Sequence, residues 1–182
     1  MESSSIRLKR RVATMVGLVV LLLLVPAAGS WAASAPRQVQ VLDDCDPATF
    51  NAAIGPGTCV KDGGTTFSEF IAQLLAQGRA PAWRFAPEQL SLDAGGTLLA
   101  HNRGGEDHTF TEVATFGGGC IQALNDLLGL TPVPECAGFP GGAFAATLVR
   151  PGGTVATSPL PPGIHRYECL IHPWMRSTVT VG

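Results

Sequence analysis

Between Thr66 and Gly78 the apolar side chains Phe67, Phe70, Ile71, Leu74 and Leu75 recur every three or four residues, the spacing of one helical face. Thr66-Phe-Ser-Glu69 has the form of a capping box, so the pattern predicts an amphipathic helix that starts at Thr66 and stops at Gly78. From Trp83 onward the period changes. Short runs with alternating character (WRFAP, EQLSLDAGG, TLLAHN, HTFTEVATF, AFAATLVR, GGTVATS, IHRYECLI, RSTVTVG) are separated by Gly, Pro, Asn and Asp, which is the texture of strands and turns. Seven or eight short strands in about a hundred residues predict an all-β, two-sheet antiparallel sandwich. One stretch interrupts it: residues 117–142 begin GGGC, carry Ile121, Leu124, Leu127 and Leu128 as a short helix, and contain Pro132, Pro134 and Pro140. Residues 36–63 read as an irregular lead-in.

The first thirty-five residues differ from all of this. A basic start, MESSSIRLKRR, is followed by apolar residues from Val12 to Val25 and then by the small residues of PAAGSWAASA. That order is the layout of a secretory leader, and the apolar run is shorter than the ~20 residues a membrane span needs, so retention as an anchor is the second reading. The expected organisation is therefore 1–35 leader, 36–82 extension with one helix, and 83–182 β domain with an insertion at 117–142. The expected location is the periplasm or the outside of the cell, free or membrane-associated.

Composition narrows the function classes. The chain has 182 residues and a net charge of −2; without Arg7, Lys9, Arg10, Arg11 and Glu2 it keeps eight basic and thirteen acidic residues, a charge of −5. A nucleic-acid partner is excluded on that balance. Five cysteines in an exported chain leave one unpaired. Cys45, Cys59, Cys120 and Cys136 allow three pairings, of which the sequence-local Cys45–Cys59 and Cys120–Cys136 are favoured, leaving Cys169. The acidic cluster Asp43, Asp44, Asp46 reads as a solvated face, because the spacing of a calcium loop is missing.

Cys169 opens CLIHPWM, in which Cys169, His172 and Met175 stand three residues apart between two strands, and Met175 is the only methionine beyond residue 15. A thiolate, imidazoles and a thioether form a soft donor set that suits copper; His2Cys with a distant axial Met is the blue-copper arrangement. Zinc has no use for the thioether. The second histidine must be His101, His108 or His165. His108 follows the turn RGGED at the mouth of a strand. By alternation His101 faces solvent, and His165 lies two pleats below the cysteine. His108 is the expected fourth ligand.

These residues resemble the cupredoxin family, and the C-x2-H-x2-M loop is most similar to its amicyanin-like and plastocyanin-like members. The resemblance runs from Trp83 to Gly182 through FAPEQLSLDAGGTLLAHN, EDHTFTEV and PPGIHRYECLIHPWMRSTVTV. It implies a Greek-key sandwich and one type 1 copper ion held by His108, Cys169, His172 and Met175. It further implies a monomer that carries single electrons to and from redox proteins docking near His172, Pro173 and Trp174. The family often has Asn after the first histidine; here Thr109 supplies a hydroxyl to tie that loop to the cysteine loop. An aromatic residue is usual where His165 stands. A copper-delivery protein is the alternative function. An enzyme is not expected, because Glu168 and Leu170 flank Cys169 where a copper oxidase would have a histidine bridging to a second copper.

Overall fold

The computed structural model describes residues 35–182, and the leader proposed for residues 1–35 therefore lies almost entirely outside the described residues. No helix among the described residues is long and apolar enough to cross a membrane.

Among the described residues, ten strands occur in chain order with four α-helices. The strands are β1 (Arg37–Leu42), β2 (Arg84–Ala86), β3 (Gln89–Leu92), β4 (Leu98–Asn102), β5 (His108–Thr109), β6 (Thr111–Val113), β7 (Leu148–Val149), β8 (Thr154–Ala156), β9 (Gly163–Glu168) and β10 (Arg176–Val181). The helices are α1 (Pro47–Ala53), α2 (Phe67–Gln77), α3 (Gln122–Leu128) and α4 (Gly142–Ala146). One sheet has the order β2-β1-β4-β8, the other β3-β10-β9-β6, and β5 pairs with β7. Alternation drives their stacking. Val39, Val41, Phe85, Leu98 and Ala100 of the first sheet and Tyr167, Val179 and Val181 of the second turn inward to one shared core. This is the expected β-sandwich. The purely antiparallel pairing expected is corrected: each sheet is mixed, because β1 runs parallel to β4 and β3 runs parallel to β10.

The lead-in reading of residues 36–63 is corrected. RQVQVL is a central strand, paired to β2 on one side and β4 on the other. Its Val39 and Val41 alternate with polar Gln38 and Gln40, so the period-2 signal was present but only six residues long. Helix α1 follows, with Asp46 as its N-cap accepting from the Thr49 backbone N–H at 2.9 Å. A second correction concerns AFAATLVR: residues 142–146 are helical and only Leu148–Val149 form strand. Ala-rich sequence favours helix when no sheet neighbour claims it. Helix α2 is as expected, with the reciprocal Thr66–Glu69 capping box and a left-handed Gly78 at its end. Phe70 and Leu74 bury its inner face, and Leu75 remains exposed.

Cys45–Cys59 and Cys120–Cys136 are the disulfides, and Cys169 is the free, buried thiol. The first closes the loop that carries α1, and the second closes the insertion. Around α1 and α2 an aromatic cluster forms: Phe50 lies between Phe67, Phe70 and Trp83, and Phe70 reaches Trp174 of the loop after β9. The helical extension is thus seated on the end of the sandwich where β9 gives way to β10.

Candidate metal centre

The seven-residue loop from Cys169 to Met175 closes on itself. The Cys169 N–H donates to the Met175 carbonyl at 3.1 Å and the Met175 N–H to the His172 carbonyl at 2.9 Å. Two neighbours hold it from outside. Leu170 donates its N–H to the Thr109 hydroxyl at 2.7 Å, so Thr109 does tie the two loops. From the insertion, the Cys120 N–H donates to the Leu170 carbonyl at 2.6 Å, an approach that leaves no room for a side chain at Gly119. The Thr109 N–H also points at the Cys169 sulfur, 3.4 Å away, a contact that favours the thiolate.

His108 and His172 meet over that sulfur. Their Nδ1 atoms lie 3.7 and 4.0 Å from Cys169 Sγ and 3.2 Å from each other. All three residues are buried, and their donor atoms form a cluster that could hold a metal ion. Burial alone would raise the Cys169 thiol, but hydrogen bonds and charge from His108 and His172 bring it well below its ordinary value. Burial likewise works against a charged His108, and the hydrogen bonds to Asp43 and Cys169 carry it up to about 10 instead. The centre therefore favours thiolate, the form that ligates metal.

Of the four ligands read from the sequence, the structure brings together His108, Cys169 and His172. Met175 is fully buried at the far end of the same loop. His101, half-buried on β4, and His165, on β9, stand apart from the cluster; His165 bonds Glu112 at 2.6 Å and the Pro161 carbonyl at 2.9 Å.

The outward face of the loop departs from expectation. His172 is 4% exposed, Pro173 is buried and Trp174 is half-buried, so the surface near which redox proteins are expected to dock has its histidine covered. The cause is the extension, which lies outside the resemblance. Phe70 of α2 stands edge-on to His172 with ring centroids 6.3 Å apart and also packs against Trp174.

Two carboxylates were not identified as site residues from the sequence. Asp43, read as part of a solvated acidic face, is half-buried with its side chain only 1% exposed, and that side chain bonds His108 Nε2 at 2.8 Å. Glu106 is buried, accepts from the Trp83 indole N–H, and lies 3.7 Å from His172 Nε2. Burial pushes the Glu106 carboxyl up. Asp43 is also raised by burial, but its bond to His108 and the N–H groups of Gly105 and Glu106 bring it below its ordinary value. Gly104 makes room for Asp43, since any Cβ there would overlap its carboxylate, a closeness that only the tertiary structure shows. A second acidic grouping, Asp43, Cys45 and Glu106, is no metal site, because the Cys45 sulfur is committed to the disulfide with Cys59.

No protein-family model matches the chain, and no curated protein sequence matches it. Solved structures similar to it include cupredoxins. A purple cupredoxin from Nitrosopumilus maritimus is 14% identical with a TM-score of 0.44, over 80% of this chain and 99% of that one. Amicyanin with a methionine-to-alanine mutation, in its Cu(I) form, is 18% identical with a TM-score of 0.35, over 54% of this chain and 73% of that one. Oxidised plastocyanin from Dryopteris crassirhizoma is 19% identical with a TM-score of 0.36, over 55% and 89%. At these identities and scores the chemistry of this chain has to be argued from its own residues.

Proposed function

We propose that this chain is an exported one-electron carrier with a single type 1 copper ion bound by His108, Cys169, His172 and Met175. The observation that carries the reading is the convergence of one thiolate and two imidazole Nδ1 atoms in a buried pocket. Two Nδ1 atoms 3.2 Å apart, facing a sulfur, are a donor set in search of a cation. When bound there, copper would supply the Cu(II)/Cu(I) couple, taking one electron from a reduced donor protein and giving it to an oxidised acceptor.

The chain's residues do the rest. The closed loop and its braces from Thr109 and Cys120 hold the donors in one geometry, which suits a couple whose two states prefer different coordination. Met175, the one methionine in residues 83–182, would supply a thioether as the fourth donor. Phe70 and Trp174 pack against His172, which is 4% exposed. With His172 itself covered, the docking surface is proposed to lie over Trp174, whose ring is 5.4 Å from that of His172. The same cover argues against copper delivery, which needs an open site for exchange. A catalytic role is not proposed.

The test is the visible spectrum of the mature chain after Cu(II) addition, through a ferricyanide and ascorbate cycle. An intense band near ~600 nm that bleaches on reduction is expected. Cys169→Ser should abolish it, and Met175→Leu should keep copper and raise its potential. Intense colour retained in the Cys169→Ser protein would refute the assignment.

A further inference from the structure

On the copper reading above, we propose that Asp43 is a positioning residue of the centre: its buried carboxylate fixes His108 with Nδ1 free for the metal and biases the couple toward its oxidised form.

The geometry is built for this one contact. Strand β1 delivers Asp43 to the turn 103–107, where three backbone N–H groups and the His108 ring converge on its carboxylate and the Glu106 carboxyl lies within 4.8 Å. Oδ1 accepts from the Gly105 N–H at 2.8 Å and more weakly from the Cys45 N–H at 3.4 Å. Oδ2 accepts from the Glu106 N–H at 3.1 Å and from His108 Nε2 at 2.8 Å. Gly104 leaves space for the carboxylate, where an alanine methyl would overlap it. Asn102 holds the turn from the other side. Its amide donates to the Glu106 carbonyl at 2.7 Å and the Val149 carbonyl at 2.8 Å, while its oxygen accepts from the Gly104 N–H at 2.9 Å.

A carboxylate only accepts, so His108 Nε2 must carry the proton and Nδ1 presents its lone pair to the metal. A metal-bound histidine held in this way by a carboxylate is fixed in tautomer and orientation and made more basic. Asp43 and His108 are 1% and 0% exposed, so water screens their interaction little. A fixed negative charge there stabilises the more positive oxidised centre over the reduced one. The residue comes from the segment before Trp83, which the cupredoxin resemblance does not cover. Glu106, at 3.7 Å from His172 Nε2 and bonded to Trp83, is too far away to orient His172 by a hydrogen bond.

Asp43→Asn tests the inference, because it keeps the shape and removes the charge. Its NH2 group must face either the Gly105 N–H or the Glu106 N–H and His108, so one set of donors loses its acceptor. Expected are a 10–100-fold weaker affinity for Cu(II) and at least a tenfold lower Cu(II):Cu(I) ratio at a fixed ambient potential, a rise of about 59 mV or more. A potential that moves by less than twofold in that ratio, with Cu(II) affinity unchanged, overturns the proposal. A second measurement needs neither a variant nor copper. In 1H–15N NMR spectra of the metal-free chain, the His108 Nε2 proton should be a slowly exchanging, far-downfield signal, and a bare Nε2 overturns the proposal. If the wild-type chain shows no copper band, the electron-carrier function fails by itself. The Nε2 signal still decides whether Asp43 holds His108.

Discussion

Replacing Phe70 by alanine is the sharpest probe of how the extension is joined to the metal loop. The ring is 3% exposed and lies at centroid distances of 4.7 Å from Trp83, 5.4 Å from Phe50, 5.8 Å from Trp174 and 6.3 Å from His172. Large-to-small changes of a buried Phe cost about 3–5 kcal/mol, and the value depends on how far the surroundings collapse. Here the neighbours are bulky rings on α1, on the segment before β2 and on the hydrogen-bonded loop, three supports that cannot close together. About 4 kcal/mol is therefore expected, close to a thousandfold in the folding equilibrium and a large share of the ~5–15 kcal/mol that a domain has. Guanidinium unfolding of the metal-free protein, followed by the fluorescence of Trp83 and Trp174, should show a lower midpoint at unchanged slope. His172 should exchange its ring protons with solvent faster. A loss below about 1 kcal/mol would refute the reasoning, since α2 could not then be seated on the loop as described.

Two further outcomes are expected. Replacing both Cys45 and Cys59 by serine should cost about 3 kcal/mol, the chain-entropy value for a loop of this length, read as a lower melting temperature. The His165–Glu112 pair gives a pH signature. The hydrogen bonds to Glu112 and Pro161 raise the His165 imidazole above its ordinary value, so its contribution is complete below about pH 6.5 and disappears as the pH rises through the folded-state value. His165→Ala should therefore destabilise the protein at pH 5.5 and much less at pH 9, and equal losses at both would refute the linkage.

The sandwich and the closed loop from Cys169 to Met175 were legible because their signals are local. The alternation in RSTVTV, the spacing of CLIHPWM and the Thr66–Glu69 box each complete themselves within a few residues. What escaped depends on partners far away in the chain. Nothing next to RQVQVL says that it enters the sheet between β2 and β4, and nothing next to Asp43 says that His108, sixty-five positions later, will close over it. The burial of His172 was missed for the same reason. Phe70 looked like ordinary packing on a helical face, and only the tertiary structure shows that it packs against His172 and Trp174. The helix at 142–146 was misread because Ala-Phe-Ala-Ala carries no period strong enough to separate helix from strand.

The one unpaired cysteine, Cys169, is also a hazard for the chain itself. A thiolate is the species that attacks disulfides, and the Cys120–Cys136 bridge is tied by a single backbone hydrogen bond to the residue after Cys169. In the closed sandwich Cys169 is fully buried beneath the two imidazoles, so the reactive atom has no line of attack. In the unfolded chain nothing separates them. The correct bridges join cysteines 14 and 16 positions apart, whereas any bridge to Cys169 must close a longer loop, so the near pairings are favoured from the outset. Short loops thus favour the two bridges that form and leave the Cys169 sulfur reduced beside the two imidazoles.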